Sequence, residues 1–168
     1  MSHNTGFPPV ATKDAKILIL GSMPGIKSLE ENQYYAHPRN SFWPILCKLL
    51  NADKNLNYQQ RKQLLIDNHI ALWDVLKRCY RKGSLDSNID HKTIEPNDFN
   101  TFFAKHKHIK TVFFNGGEAE KLFKKYVLKN LKETGLEFHR LPSTSPAHAA
   151  MTKEQKLAAW KMIKSFNV

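Results

Sequence analysis

Four consecutive apolar residues, Ile17 to Leu20, follow a polar, proline-containing start and predict a short buried strand. The run enters a turn-forming cluster, Gly21-Ser22-Met23-Pro24-Gly25. Farther on, Phe42, Ile45, Leu46, Leu49 and Leu50 recur at helical spacing, so a helix is expected to begin near Ser41. Pro44 helps fix that start, because proline is tolerated only where the amide lacks a helical partner, within the first turn. Asn40 therefore falls outside the helix, on the preceding loop. A second helix over 58–68 leads into a strand from His69 to Trp73 that ends at Asp74. Residues 80–95 carry Gly83, Ser84, Asp86, Ser87, Asn88 and Asp90 and read as a surface loop. A helix from Pro96 to His106 precedes a strand from Thr111 to Phe114, which stops at Asn115-Gly116-Gly117. The next helix turns Ala119, Leu122, Phe123, Tyr126 and Val127 inward and Lys121, Lys124, Lys125 and Lys129 outward. A fourth strand, Leu136 to Leu141, runs into Pro142-Ser143-Thr144-Ser145-Pro146-Ala147-His148. Thr152 and Gln155 form a capping box for the last helix, expected to bury Ala159, Met162, Ile163 and Phe166.

Strands that alternate with helices at crossover spacing predict an α/β layer structure around a parallel sheet. Each strand ends in a loop rich in Gly, Ser, Pro or Asn. Parallel strands would gather those loops at one sheet edge, where such folds bind ligands. A chain of 168 residues is large enough for one self-sufficient core. We read residues 1–168 as a single domain, with 1–14 an extended segment anchored by Phe7 and Val10.

Charge narrows the functional class. Lys and Arg number 26 against 15 acidic residues, giving a net +11 and a pI near 9.7. That excess points to a polyanionic partner, nucleic acid ahead of a membrane surface, although a generally basic housekeeping protein shows the same total. The two cysteines, Cys47 and Cys79, sit in apolar surroundings and read as reduced core thiols. No apolar run reaches the roughly 18 residues that span a bilayer, and the start lacks a signal-peptide core. A cytoplasmic enzyme or nucleic-acid-binding protein is expected. No phosphate-loop or dinucleotide fingerprint follows a strand, the histidines form no compact metal-ligand pattern, and Ser22 lacks a local base. Neither a metal nor a nucleotide cofactor is implied.

Three stretches carry a specific resemblance. Gly21-Ser-Met-Pro-Gly25, Tyr35-Ala-His-Pro-Arg-Asn-Ser-Phe-Trp43 and Leu141-Pro-Ser-Thr-Ser-Pro146 look like the motifs of the uracil-DNA glycosylase superfamily, in the same order. The similarity covers nearly the whole chain and is closest to the hypoxanthine-DNA (deoxyinosine) glycosylase branch. It implies a three-layer α/β/α sandwich with a central, mainly parallel four-stranded sheet. It implies a monofunctional DNA glycosylase acting on DNA containing deaminated bases, hypoxanthine first, as a monomer and without cofactor. Two positions depart from the better-known branches. Met23 stands where they carry a water-positioning Asn or Asp, and Leu141 where the main uracil branch carries its catalytic His. The hypoxanthine branch is expected to use the Asn of its Pro-x-Asn segment, which here is Asn40.

A carboxamide oxygen suits that chemistry, since it aligns a water and faces the positive charge of an oxocarbenium-like sugar. Asn40 also fits a helix cap or a turn residue. Tyr35 matches the aromatic that stacks on the flipped base, with core packing as the alternative. Ser22 and Met23 are expected to line the base pocket, and Asp74 to read the base unless it caps a helix. For DNA contact the candidates are Gly25, the Gly116–Gly117 pair, Ser143, Ser145 and His148; hydroxyls and strand-end amides are good phosphate donors. A Ser/Pro loop that merely feeds a helix is the alternative there, and the nearby lysines also fit a solvated face. The rival functions are a uracil or G/U mismatch-specific glycosylase and a non-catalytic nucleic-acid-binding module on the same fold.

Overall fold

An unbroken apolar run has no side it can turn to water, so Ile17 to Leu20 must be covered on both faces. The computed structural model, which describes residues 3–166, places it accordingly. The chain opens with β1 (Asn4–Thr5) and β2 (Ile17–Gly21), then α1 (Ile26–Glu31), α2 (Phe42–Leu49) and α3 (Tyr58–Asp67). Next come β3 (Ile70–Asp74), β4 (Leu76–Arg81), β5 (Ile89–Pro96), α4 (Phe99–Lys105), β6 (Thr111–Asn115), α5 (Gly117–Tyr126) and β7 (Glu137–Leu141). Two short helices, α6 (Lys153–Trp160) and α7 (Met162–Phe166), follow.

The central sheet has four strands in the order β3-β2-β6-β7, all parallel. Leu18 and Leu20 of β2 face one layer, built from Phe99, Phe102 and Phe103 of α4 and Leu122 and Phe123 of α5. Ile17 and Ile19 face the other, built from Phe42, Ile45, Leu46 and Leu49 of α2, Leu65 of α3, Trp160 and Ile163. The three-layer sandwich expected from the sequence is therefore present. Registers Gly21↔Asp74 and Asn115↔Leu141 bring the carboxyl ends of neighbouring strands to one edge. The N-terminal segment blunts the β3 edge: Val10 and Leu72 exchange backbone hydrogen bonds of 2.9 Å. Phe7 anchors it with an edge-on contact to Tyr34. Cys47 and Cys79 are buried and free. No helix among the described residues is long and apolar enough to cross a membrane.

Three expectations need correction. Residues 80–95 are not a surface loop: β4 and β5 form an antiparallel ribbon to which β1 adds a third strand. The turn-rich residues occupy only its tip. Register shifts between Leu76 and Tyr80 break the two-residue alternation that would have betrayed it. The fourth helix begins at Phe99 rather than Pro96, because Pro96 closes β5 and Asp98 caps the helix by accepting from the Thr101 amide at 3.1 Å. The capping box of Thr152 and Gln155 forms, but the last helix breaks at Lys161. Trp160 is buried as the last residue of α6, one turn after buried Lys156, and beyond the break Met162 is left 41% exposed.

Candidate functional site

Beyond the carboxyl ends of the sheet lies a cavity of about 450 Å³. Every strand-end loop contributes to its wall: Gly21 to Gly25, Asp74, Asn115, and Ser143 to Ala147. The loop before α2 adds Tyr35 and Asn40. Geometry thus unites Asn40, Ser22, Met23, Tyr35, Asp74, Gly25, Ser143 and Ser145. It does not bring in Gly116, Gly117 or His148, which lie outside the lining.

Asn40 precedes the α2 cap, Ser41, as the Pro44 argument requires. Its Oδ1 accepts from the Phe42 amide at 3.0 Å, so the residue closes an Asx-type turn and lines the cavity at once. The turn expected from the sequence is present, and it leaves the residue on the cavity wall. A carboxamide oxygen has two lone pairs, and the turn occupies one.

Tyr35 sits at φ 54°, a left-handed conformation that is uncommon for an aromatic residue. Its ring stacks on Phe42 with centroids 4.1 Å apart, so core packing takes one face while the ring also lines the cavity. The buried Tyr35 hydroxyl lies beside Asn115 without reaching hydrogen-bonding geometry. Asp74 Oδ2 is likewise buried and unpartnered. A Cβ on residue 21 would lie 2.5 Å from Asp74 Oδ1 and 2.7 Å from the Tyr35 hydroxyl. Only glycine leaves room for two polar groups to converge there.

Asp74 is 4% exposed, and burial pushes its carboxyl up to about 7. The neighbouring charge of Asp86 pushes the same way and Arg81 opposes it. Asp86 is itself raised, by burial first, and accepts a 2.7 Å hydrogen bond from the Ser22 hydroxyl. Buried Arg81 donates to the carbonyls of Pro24 and Gly83. Reading 80–95 as a loop missed both Asp86 and Arg81. Asp86 stands in a turn-rich stretch that gives no hint of burial.

Thr144 ties the loops together. Its amide donates to Asn115 Oδ1 at 2.9 Å, and its hydroxyl accepts from Asn115 Nδ2 at 3.0 Å. Its carbonyl accepts from both the amide and the hydroxyl of Ser41. Buried Lys156 adds a bond to the Ser145 carbonyl. Ser143 and Ser145 each accept from an amide two residues on, which leaves their hydroxyl protons available to donate outward. Gly116 differs from its expected role: its amide is held by the Leu141 carbonyl at 2.9 Å, and its φ of 97° with Ser143 close against it demands glycine for packing. Gly117, exposed at the start of α5, keeps its amide available.

The chain as a whole is similar to known proteins. The model of the Uracil DNA glycosylase superfamily matches residues 8–165. A hypoxanthine DNA glycosylase of Methanosarcina barkeri is 39% identical over 90% of this chain and 92% of its own. One from Methanosarcina acetivorans is 34% identical over 94% and 96%. A solution NMR structure from Methanosarcina acetivorans, of a protein described provisionally as a uracil DNA glycosylase, superposes with a TM-score of 0.78 at 30% identity. It covers 97% of this chain and 99% of that one.

Proposed function

This chain belongs to the uracil DNA glycosylase superfamily, and from that premise we propose that it is a monofunctional DNA glycosylase that releases hypoxanthine from deoxyinosine. In this reading residues 1–168 act as one glycosylase domain, a cytoplasmic monomer without metal or cofactor. The observation that carries the reading is the convergence of Asn40, Tyr35 and Asp74 on one cavity at the sheet edge.

The target nucleotide must leave the helix for any protein group to reach its glycosidic bond. Its base would lie against Tyr35 over the Gly21 floor. A carboxyl that titrates near neutrality can be protonated, and then offers a donor and an acceptor side by side. Hypoxanthine presents the complement in its N1–H and O6. Asn40 Oδ1 would use its remaining lone pair to orient a water toward C1′. As the C1′–N9 bond breaks, its electron pair goes to the purine and the sugar becomes oxocarbenium-like. Little deprotonation of the water is needed, so a weak base suffices. Ser143, Ser145 and Gly117 would hold phosphates, with Gly25 and His148 at the periphery of the contact.

Duplexes carrying deoxyinosine, deoxyuridine or deoxyxanthosine, treated with alkali after incubation, test the proposal. The expected result is alkali-dependent scission with deoxyinosine first, and an uncut abasic strand before alkali. Binding should weaken steeply with salt, as each phosphate contact contributes about 0.9 to the log–log slope. Preference for deoxyuridine would turn the reading to a uracil or mismatch enzyme. Binding without scission on any duplex would turn it to a non-catalytic module.

A further inference from the structure

Two of the four exposed large apolar side chains among the described residues, Ile26 and Leu85, stand on the wall of the cavity. Leu85 is 52% exposed and Ile26 45%. Large apolar side chains left in water on a cavity wall call for a partner that buries them.

Leu85 is at the tip of the β4–β5 ribbon, and the backbone around it is fastened. Gly83 turns the chain at φ 77°, and the Arg81 guanidinium donates to its carbonyl at 2.8 Å. The Ser84 hydroxyl accepts from the Ile26 amide at 2.9 Å. Asp86 accepts from Ser22, and the Leu85 carbonyl accepts from the Asn88 amide at 3.0 Å. The neighbours of Leu85 are thus bonded to the start of α1 and to Ser22 of the strand-end turn, while Leu85 itself stays half-exposed. Within the Ser/Pro loop, Pro146 and Ala147 are the only apolar side chains on the cavity wall. Neither can fill the space that an extruded nucleotide leaves.

We propose that Leu85, presented by the ribbon tip and flanked by Ile26, is the wedge that enters the DNA base stack as the target nucleotide turns into the cavity. This deepens the glycosylase reading and rests on it. Apolar side chains driven between base steps unstack and kink a duplex, and a vacated base position is an apolar slot that leucine fits. The chain's net +11 charge suits the duplex as occupant, and exposed Lys82 sits three residues before the wedge to meet a flanking phosphate.

Leu85→Ala in the full chain tests this, since an exposed side chain contributes little to folding. The first probe is a duplex carrying 2-aminopurine beside an uncleavable 2′-fluoro-deoxyinosine, in which the fluorine destabilises the cation. Wild type should raise the fluorescence on binding. Leu85→Ala should reduce that rise by about fivefold or more at saturating protein, and Leu85→Met should restore it. The second probe is single-turnover release of hypoxanthine, where Leu85→Ala should lose about tenfold more rate on paired deoxyinosine than on single-stranded deoxyinosine. An undiminished fluorescence rise, or equal losses on paired and single-stranded DNA, would overturn the wedge. A wild-type protein that raises the fluorescence but releases no hypoxanthine from deoxyinosine would instead refute the glycosylase reading and leave the wedge supported.

Discussion

Asn40→Ala is expected to slow single-turnover hypoxanthine release by about 10²–10³-fold, while DNA affinity stays within about threefold. The carboxamide is assigned to the reacting atoms and not to the phosphates, so its loss should fall on the chemical step. The substitution has a second consequence that must be separated from the first. Removing Oδ1 deprives the Phe42 amide of its acceptor and should destabilise the fold by about 1 kcal/mol. Asn40→Ser divides the two roles. A serine hydroxyl can accept from the same amide and recover most of the stability, but it is too short to reach a water at C1′. Ser should therefore melt like wild type and react like Ala. Measured rates and melting temperatures for the two variants side by side check the assignment.

Asp74→Asn is expected to raise the melting temperature by about 8–16 °C at pH 8 and to leave it nearly unchanged at pH 4. The folded carboxyl titrates near 7, against an ordinary value of 3.8. Between those values the folded state holds a proton that the unfolded chain has released. Stability is therefore greatest below about 4 and falls as pH rises through the window. The loss is on the order of 4 kcal/mol above neutrality, and it is this loss that asparagine removes. The groups that set the shift are the buried surroundings, then Asp86 on the ribbon tip, with Arg81 of β4 acting against them. Asp86 carries a raised carboxyl of its own, so removing the like charge at residue 74 eases its ionisation as well. Activity should follow the same proton. If the neutral acid reads the lactam of hypoxanthine, kcat/KM of the wild type falls above about pH 7. An asparagine, which keeps a donor and an acceptor at every pH, should abolish that alkaline limb.

What the amino-acid pattern made legible depended on how each element is buried. β2, β3 and β6 are covered on both faces and so read as continuous apolar runs; the Gly21-Ser22 and Asn115-Gly116 ends of β2 and β6 marked loops that converge, whereas β3 passes from Asp74 through Val75 directly into β4 with no such loop. Pro44 placed Asn40 on a loop because one missing amide constrains where a helix can begin. The β4–β5 ribbon gave no such signal. Its buried side includes Arg81, its register shifts twice, and its tip carries the turn residues that dominate the local composition. With the ribbon unseen, Asp86 and Leu85 could not be placed beside the pocket, although both lie on its wall. The six residues of α1 are too few to display a helical period, so that element was also invisible. At the other end, α6 closes on Trp160, whose indole donates to the Pro142 carbonyl at 2.8 Å and steadies the Ser/Pro loop, and the helix breaks at Lys161. A helical stripe drawn through that break points the wrong residue inward.

The four-loop cavity is the centre of this account, and a crystal structure of the protein with a duplex containing 2′-fluoro-deoxyinosine tests it most directly. The account predicts an everted nucleotide seated against Tyr35 and Asp74, with Asn40 Oδ1 within about 4 Å of C1′ or one water away. A hypoxanthine that stays stacked in the duplex, or DNA bound to a face away from the carboxyl ends of the sheet, would contradict it.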